Sequence, residues 1–323
     1  MTDILIAGGA GYIGSHTVKA LLRRGARVVV LDDLSSGRAE FARGAELVVG
    51  DLTDRAAVEA VFRRRRFEAV LHFASLIQVG ESTADPRKYY ARNLVSSLNL
   101  LGATLDGGAG SFIFSSSAAV YGVPREIPIP EDHPLEPYNP YGRTKAVVER
   151  MLADYGRAYG LRYVSLRYFN AAGADPEGDL GEVHDPETHL IPNLILALLG
   201  RRESLDVFGT DFPTPDGTAV RDYIHVVDLA SAHVLALEHL LAGRPSDVFN
   251  LGTQRGHSVR EVIAEAEAVT GRKAPVRDRP RREGDVPVLL ASKAKAERVL
   301  GWRLEHSDLQ TILRTAWDWH RKA

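Results

Sequence analysis

The sequence predicts an α/β protein built on a doubly wound parallel sheet, and three observations lead to that class. Short, continuous apolar segments alternate with amphipathic helical patterns between residue 3 and about residue 169, as expected for parallel strands that are buried on both faces. A glycine-rich turn follows the first apolar segment and opens the first helical pattern. Beyond Asn170 the alternation gives way to loops rich in glycine, proline and aspartate. We therefore expect a Rossmann domain followed by a smaller α/β domain.

The elements of the first domain follow from the same pattern, taken in order along the chain. Strands are predicted at residues 3–7, 27–32, 46–50, 68–74, 111–117 and 162–169. Helices are predicted at residues 12–24, at about 54–65, from Pro86 onward and from near Tyr141 onward. Length and the flanking glycine, proline and polar residues separate the two kinds of element.

The boundary between the two domains is expected near residue 170. One later strand-helix pattern, RDYIHVVDLASAHVLALEHLL, resembles the units of the first domain and is expected to return to it. The first domain is thus predicted to comprise residues 1–169 and about 218–243. The second, discontinuous domain is predicted to comprise about 170–217 and 244–323.

Composition narrows the classes of function. The chain has 323 residues, 45% of them hydrophobic, and a formal net charge of −2. It contains no cysteine, which excludes disulfides, thiolate metal sites and cysteine nucleophiles. No apolar run approaches the roughly 20 residues that span a bilayer, and the N-terminal segment does not resemble a signal peptide. The basic run at residues 63–66 ends a predicted helix and is typical of a solvated face. We expect a cytoplasmic location, with neither nucleic acid nor membrane as a partner.

The turn GGAGYIG predicts a dinucleotide site. It places Gly8, Gly11 and Gly14 between the first strand and the first helix, where backbone N–H groups and the helix N-terminus meet an anionic pyrophosphate. A tight turn alone would need one glycine rather than three. Asp32, with Asp33 beside it, ends the second strand, where a carboxylate binds the ribose hydroxyls and repels a 2′-phosphate. NAD is therefore favoured over NADP.

Asp51 follows the third strand in the segment GDLTD and allows two interpretations. Its carboxylate is placed to reach the adenine amino group of the dinucleotide. Alternatively, it caps the helix that follows, which is a common role for aspartate. The sequence does not decide between them.

Three residues predict the chemistry. Ser117 ends the fifth strand, and Tyr141 and Lys145 stand four apart at the start of a helix, so that both face one spot. Taken alone, the Tyr-Lys pair is typical of an amphipathic helix surface. A phenol titrates near pH 10, and lowering that pKa by about three units requires roughly 4 kcal/mol of preferential stabilisation of the phenolate. We expect the lysine cation and an oxidised nicotinamide ring to supply it, with Ser117 donating a hydrogen bond to the reacting oxygen. Such a site removes a proton from an alcohol while hydride leaves for NAD.

Nearly the whole chain resembles the extended short-chain dehydrogenase/reductase family, and within it the UDP-glucose (UDP-galactose) 4-epimerases. The segments that carry the resemblance occur in order: GGAGYIGSHT, LDDL, HFASLIQVGES, FSSSAAVYG, PYGRTK, LRYFNAAGA, DGTAVRDYIHVVDLA, FNLGT and PRREGD. The resemblance implies reversible 4-epimerisation of a UDP-sugar through a 4-keto intermediate with tightly bound NAD. It also implies a homodimer formed through the helices near 86–105 and 141–160.

The resemblance implies site residues beyond those derived above. For the cofactor these are Tyr12, Ile13, Leu52, Phe73, Asn93 and Tyr168. For the UDP-sugar they are Asn170, Leu190, Phe208, Arg221, Arg282 and Asp285, together with His189, which stands where the family often has an asparagine. Two guanidinium groups that converge on a pyrophosphate make chemical sense, because their planar forks pair with phosphate oxygens. The alternative for the arginines is an ordinary surface position.

Leu289 stands where the family places a gate beside the C2 substituent of the sugar. A tyrosine there excludes N-acetylated sugars, and a leucine leaves more space. The resemblance thus predicts activity on UDP-N-acetylglucosamine as well as UDP-glucose. The alternative is that Leu289, in the apolar run VPVLLA, packs in a core strand.

The sequence also bears on three other functions that this fold supports. A sugar-nucleotide 4,6-dehydratase has an Asp-Glu pair where this chain has Ala118 and Ala119, and a sugar-nucleotide decarboxylase has a glutamate in the same turn. This chain has alanines at both positions, so it lacks the acidic residues of either enzyme class. A non-catalytic NAD-binding protein is a further alternative, since a fold does not fix a function, but such proteins usually lose the tyrosine or the lysine.

Overall fold

A seven-stranded parallel sheet organises the computed structural model, which describes residues 2–282 and 284–322. The strands of the described residues are β1 (Asp3–Ala7), β2 (Arg27–Asp32), β3 (Glu46–Val49), β4 (Ala69–His72), β5 (Ser111–Ser115), β6 (Arg162–Tyr168), β7 (Asn170–Ala172), β8 (Leu205–Phe208), β9 (Val220–His225), β10 (Asp247–Leu251), β11 (Gly256–Ser258), β12 (Val276–Arg279) and β13 (Val288–Leu289). The six strands predicted for the first domain are confirmed, most of them with ends shifted by one or two residues.

The α-helices of the described residues are α1 (Tyr12–Arg23), α2 (Arg55–Arg64), α3 (Val79–Ala84), α4 (Pro86–Tyr89), α5 (Val95–Asp106), α6 (Pro140–Tyr159), α7 (Leu190–Leu198), α8 (Val226–Leu241), α9 (Val259–Thr270), α10 (Ala294–Leu300) and α11 (Leu309–Lys322). A π-helical turn (Tyr90–Leu94) joins α4 to α5. Single π-turns inside helices often lie at functional sites, and this one contains Asn93. None of the described helices has the length and apolar character that crossing a bilayer requires.

The strand order of the large sheet is β10-β6-β5-β4-β1-β2-β3. The chain moves outward from β1 through β2 to β3, and then continues on the other side of β1 with β4. The carboxyl ends of β1 and β4 therefore flank the point at which the order reverses, which is where doubly wound sheets bind their ligands.

Both faces of this sheet are buried, as the apolar strands predict. In β1 the side chains of Ile4 and Ile6 enter one core, which α1 and α8 cover, and Leu5 and Ala7 enter the other, which α2, α5 and α6 cover. Successive residues of a strand point to opposite faces, so a strand that lies between two helical layers has to be apolar at every position.

Smaller sheets form the other layer of the molecule. In the described residues β9 pairs with β7, β11 and β13, and β8 pairs with β12. Helices α7, α9 and α11 pack together in a separate apolar core. The predicted fold class, a Rossmann-type sheet with a smaller α/β part, is confirmed.

Two strands differ from the predicted domain boundaries. Strand β10 was expected in the second domain but pairs in parallel with β6 of the large sheet, with Phe249 opposite Leu166. Strand β9 was expected to return to the first domain but lies in the smaller sheet. Only its helix α8 returns, and it packs against α1 and the large sheet. The sequence of β9, VRDYIH, runs directly into the long, largely apolar helix α8, so the two together have the sequence pattern of a strand-helix unit of the first domain. The remaining boundaries stay predictions.

Candidate active site

The glycine turn is built as the sequence predicts. Gly8 has a positive φ of 80°, and a Cβ at Gly14 would lie 2.2 Å from the carbonyl oxygen of Gly8. These two glycines are thus required by the turn itself. Gly11 is different, because its φ is −82° and a Cβ there would meet only the same oxygen at 3.5 Å. The protein's own packing does not need a glycine at position 11, whereas a pyrophosphate that approaches the start of α1 does. The turn fits a dinucleotide.

Asp32 is held rigidly at the carboxyl end of β2. One oxygen of its carboxylate accepts a hydrogen bond from the N–H of Ala10 and the other from the N–H of Leu34, both at 2.9 Å. Burial raises the pKa of this carboxyl, and the two hydrogen bonds oppose that rise. The acid predicted to bind the ribose therefore has a fixed orientation beside the glycine turn.

Asp51 does not cap the helix that follows it, so that alternative is wrong. The N-cap of α2 is Asp54, whose carboxylate accepts from the backbone N–H groups of the first turn. Asp51 instead accepts from the N–H of Thr53 at 2.8 Å and from Arg92 at 2.6 Å. Burial tends to raise its pKa, but these hydrogen bonds outweigh burial and hold the pKa below its usual range. The adenine contact stays a prediction.

Arg92 was not foreseen. Its guanidinium joins Asp51 to Asp33, which it contacts at 2.7 Å, so it ties together the ends of β2 and β3 beside the predicted adenosine site. Its only signal in the sequence is its position next to Asn93, and that does not indicate a partner 41 and 59 residues away.

Ser117, Tyr141 and Lys145 come together at the carboxyl edge of the large sheet. Asn139 caps α6 by accepting from the N–H of Gly142 at 2.8 Å, and a Cβ at Gly142 would lie only 2.3 Å from the carbonyl oxygen of Ala119. This close approach brings the first turn of α6 against the residues that follow β5. The Ser117 hydroxyl lies close enough to the phenol of Tyr141 to oppose the rise in its pKa.

Lys145 lies one turn further along the same face of α6. Its ammonium donates to the carbonyl oxygen of Ser115 at 2.8 Å and lies 5.8 Å from the centre of the Tyr141 ring. Tyr141 is 8% exposed and Lys145 is 3% exposed. The predicted three-residue arrangement therefore exists and is largely sheltered from water.

The predicted lowering of the Tyr141 pKa is not produced by the protein groups alone. Burial raises the pKa of Tyr141, and the Ser117 hydroxyl only reduces that rise. Burial also lowers the pKa of Lys145 to about 7, although Glu149 opposes the shift. A lysine with that pKa is only partly charged at neutral pH, so it stabilises the phenolate less than expected. The other group expected to lower the pKa of Tyr141 is the positively charged, oxidised nicotinamide ring.

A buried ion pair connects helix α6 to strand β6 of the large sheet. Glu149, one further turn along α6, accepts from Arg167 of β6 through both carboxylate oxygens, at 2.9 and 2.5 Å, and from Ser116 at 2.5 Å. Both charged side chains are almost inaccessible to water. The spacing of Tyr141, Lys145 and Glu149 was the only sequence signal for this network, and it does not identify the arginine.

The residues predicted to line the cofactor site have clear positions, and several are already bonded within the protein. Asn93 bonds both the N–H and the carbonyl oxygen of Leu76 and donates to Thr144 at 3.1 Å, so it fastens the loop after β4 to α6. Tyr168 shares a hydrogen bond with Ser115. The others pack in or beside the cores: Tyr12, whose hydroxyl donates to Gly173, Ile13, Leu52 and Phe73.

Four of the residues predicted for the UDP-sugar form one group. Arg282 donates to Asp285 at 3.0 Å and covers the ring of Phe208 at 4.9 Å, while Arg221 approaches Asp285 to 3.8 Å. Burial lowers the pKa of Arg221, and the nearby Asp285 carboxylate opposes this shift. Two guanidinium groups thus converge on one carboxylate, an arrangement suited to holding a diphosphate.

The remaining predicted substrate residues are not part of that group. Asn170 donates to the carbonyl oxygen of Asp222 at 2.8 Å. His189 and Leu190 form the start of α7, and the His189 side chain turns to Glu182 of its own loop. Within residues 2–282 and 284–322, no hydrogen bond or ion pair connects these three residues to Arg221, Arg282 or Asp285.

The position of Leu289 fits part of each interpretation, the gate beside the sugar and the packed core strand. It lies in β13 opposite Arg221 of β9, and it packs, partly buried, against a small apolar cluster that contains Val120 and Tyr121. Those residues belong to the turn that follows Ser117. Leu289 therefore contributes to packing and also lies between the arginine group and the reactive residues, so the gate stays a prediction.

The fold and this site define the short-chain dehydrogenase/reductase class. Within it, a family model described as the NAD dependent epimerase/dehydratase family matches residues 4–252, and the chain belongs to that family. A UDP-glucose 4-epimerase of Rhizobium leguminosarum bv. trifolii is 52% identical over 99% of this chain and 98% of its own.

Solved structures agree with this placement. The UDP-glucose 4-epimerase of Brucella ovis in complex with NAD superimposes with a TM-score of 0.96 at 51% identity, over 98% of each chain. The UDP-Glc/GlcNAc 4-epimerase of Campylobacter jejuni has a TM-score of 0.87 at 41% identity and 100% coverage of both chains. The predicted family resemblance and the prediction of NAD as cofactor are confirmed. The roles of the individual site residues stay predictions.

Proposed function

We propose that the protein interconverts UDP-glucose and UDP-galactose by inverting the configuration at C4 of the sugar. The observation that carries this proposal is the cluster of Ser117, Tyr141 and Lys145 at the carboxyl edge of the large sheet, in which the phenol and the ammonium are both sheltered from water. A phenol in that position removes a proton from a sugar hydroxyl and returns it without a second acid. The UDP-glucose 4-epimerases that the chain matches over almost its full length support the same reaction.

Each reactive side chain has one task. Tyr141 accepts the proton of the 4-hydroxyl and returns it after the sugar has turned. Ser117 donates a hydrogen bond to the reacting oxygen, and Lys145, fixed by the carbonyl of Ser115, holds positive charge near the phenol. Bound NAD supplies the acceptor, and later the donor, of the hydride at C4. The product of the first half-reaction is a 4-keto sugar.

Inversion requires that the 4-keto sugar present its other face before hydride returns. A firmly held nucleotide and a loosely held sugar allow that rotation. Arg221 and Arg282, gathered by Asp285, are placed to hold the diphosphate, and Phe208 lies against one of them. The small side chains of Ala118 and Ala119, which follow Ser117, leave room for the sugar to turn.

Elimination of water is disfavoured by the same turn. A dehydratase needs an acid and a base beside the reacting carbon, and Ala118 and Ala119 offer neither. A purely NAD-binding role is disfavoured because Ser117, the buried Tyr141 and the buried Lys145 are all present and lie together.

The direct test is to incubate the purified protein with UDP-galactose, with no cofactor added, and to measure UDP-glucose by chromatography. We expect an equilibrium mixture of the two sugars. Formation of a 4-keto-6-deoxy sugar would point to elimination instead, and the absence of any product from cofactor-saturated protein would contradict the proposal.

Purified protein is expected to carry NAD. The cofactor is regenerated in every cycle of an epimerase, so nothing in the reaction requires its release, and Gly11 leaves the start of α1 open for a pyrophosphate. The measurement is the absorbance and fluorescence of the supernatant after heat denaturation. Activity that depends on added NADP would contradict the role given to Asp32, because that carboxylate repels a 2′-phosphate.

Leu289→Tyr is expected to reduce kcat/KM for UDP-N-acetylglucosamine about tenfold or more relative to UDP-glucose, because the larger side chain would occupy space needed by the acetamido group. The native protein is expected to use both sugars. Leu290→Met is the matched control, since the neighbouring side chain packs toward Gly256 on the other face of the strand, and it should leave the ratio unchanged. A native protein that does not act on the N-acetyl sugar, or a tyrosine variant with an unaltered ratio, would exclude the gate.

A homodimer is proposed through α5 and α6. Apolar side chains are exposed on both helices: Leu98 is 51% exposed, and Val95 and Val147 are exposed to a similar degree. Exposed apolar groups on adjacent helices are typical of an interaction surface.

We also infer a cytoplasmic location, consistent with the complete absence of cysteine.

A further inference from the structure

Four potential metal ligands lie in one eight-residue segment, EVHDPETH at residues 182–189, which leads into α7. The ligand atoms of Glu182, His184, Glu187 and His189 all lie within 4.8 Å of one another. Glu182 is buried and the other three side chains are half-buried. None of the proposed catalytic steps uses Glu182, His184 or Glu187.

Two distances between ligand atoms, both from His184, match a tetrahedral site. With metal-ligand bonds of about 2.0–2.2 Å, neighbouring ligands of a tetrahedral Zn²⁺ lie about 3.3–3.6 Å apart. Nδ1 of His184 lies 3.2 Å from Oε1 of Glu182 and 3.5 Å from Oε2 of Glu187. Nδ1 of His189 lies 3.8 Å from Oε1 of Glu187 and also contacts Glu182. The four ligand atoms thus lie close enough together to share one ion.

A hydrogen bond joins Nδ1 of His189 to Oε1 of Glu182, but hydrogen bonds do not account for the position of His184. Nδ1 of His184 is shielded from solvent and makes no hydrogen bond with the described residues, although two carboxylates lie beside it. Oε1 of Glu187 accepts from the N–H groups of Thr188 and His189, both at 2.8 Å, which leaves Oε2 free. An imidazole nitrogen and a carboxylate oxygen that face the same point without bonding each other are what a shared cation requires.

Charge and ligand type select the ion. Two carboxylates and two neutral imidazoles neutralise a divalent cation, and imidazole ligands favour Zn²⁺ over Mg²⁺ or Ca²⁺, which prefer oxygen alone. The neighbouring cluster of Asp175, Glu177 and Asp179 is the contrast. The ammonium of Lys19 already contacts all three of those carboxylates, so that cluster has its cation.

We propose that Glu182, His184, Glu187 and His189 bind one Zn²⁺, which closes the loop before α7. The site is structural, because all four ligands belong to the protein and no position is left for a reacting group. Two further contacts hold the backbone of the ligands in place: Trp319 donates to the carbonyl oxygen of Glu182 at 3.1 Å, and Asn193 donates to that of Glu187 at 3.3 Å. The ion fixes His189 and thereby the first turn of α7.

The test uses full-length, tag-free protein saturated with Zn²⁺ and then passed through a gel-filtration column in metal-free buffer. Elemental analysis by mass spectrometry is expected to find about one Zn²⁺ per chain. X-ray absorption at the zinc edge is expected to show imidazole nitrogen and carboxylate oxygen at about 2.0–2.2 Å. Removal of zinc with a chelator is expected to lower the Tm by several degrees, and Zn²⁺ but not Mg²⁺ should restore it.

Variants separate this site from adventitious binding. His184→Gln and Glu187→Gln are each expected to lose the zinc, whereas Glu177→Gln, which removes a carboxylate of the neighbouring cluster, should retain it. Native protein that holds less than about a tenth of an equivalent after saturation would overturn the proposal, and this measurement does not depend on any variant folding. Retention of a full equivalent by His184→Gln would overturn it as well.

Discussion

Replacing Tyr141 with phenylalanine is expected to reduce kcat by about 10²–10⁴-fold, the usual contribution of a positioned acid or base, while the affinity for UDP stays nearly unchanged. The substitution removes only the phenolic hydroxyl, which lies beside Ser117. The ring remains in its buried position, and the diphosphate is held elsewhere by Arg221 and Arg282. A loss confined to the chemical step appears in kcat and in kcat/KM to the same extent.

Tyr155→Phe provides the matched control for that experiment. Tyr155 lies on the same helix, α6, and its ring packs against Tyr159, away from the site. Removing its hydroxyl should leave kcat within about twofold of native, as for surface changes that touch no substrate. UDP binding is measured by calorimetry and turnover by conversion of UDP-galactose. A Tyr141→Phe protein with more than about a tenth of the native kcat would show that another group transfers the proton.

Replacing Arg167 with leucine is expected to lower the free energy of unfolding by about 3–5 kcal/mol, the usual cost of leaving a buried charge without its partner. The side chains of Arg167 and Glu149 are 5% and 6% exposed, so the remaining carboxylate has no access to water. Loss of this pair is also expected to loosen the middle of α6. Tyr141 and Lys145 lie in the first turns of the same helix. Denaturation by urea, monitored by circular dichroism, measures the change.

Two further variants show whether the pair itself is responsible. The double variant Arg167→Leu with Glu149→Leu removes both charges and is expected to recover most of the lost stability, because apolar replacements of a buried ion pair are often neutral. Arg157→Leu breaks an exposed pair with Asp154 on the same helix and should change stability little. If the double variant is as unstable as the single one, packing rather than the unpaired charge explains the loss.

The features that could be predicted correctly depend on patterns within short segments of the sequence. The strands of the large sheet are largely apolar because helices cover both of their faces, and this pattern is visible in short segments such as DILIA. The spacing of Tyr141 and Lys145 on one helix also reports directly which side chains share a face. Such features need no knowledge of distant parts of the chain.

Features that depend on distant partners were not predicted. Strand β10 joins the large sheet by pairing with β6, about 83 residues earlier by the register of Asp247 with Val164, and nothing within the strand identifies that neighbour. Arg92 and Arg167 pair with carboxylates 41 and 18 residues away, Asp51 and Glu149. The pKa of Tyr141 depends on burial by the whole fold, so residue types alone did not indicate the rise that burial produces.

The fate of a deuterium label at C4 of UDP-galactose tests the proposed reaction most directly. In the proposed mechanism the hydrogen at C4 leaves and returns as hydride within the closed site, while only the hydroxyl proton passes through Tyr141. We therefore expect the UDP-glucose formed in ordinary water to keep essentially all of its deuterium at C4, as measured by mass spectrometry and proton NMR. Replacement of the label by solvent hydrogen would mean that a proton, not a hydride, is exchanged at C4, and would contradict the account.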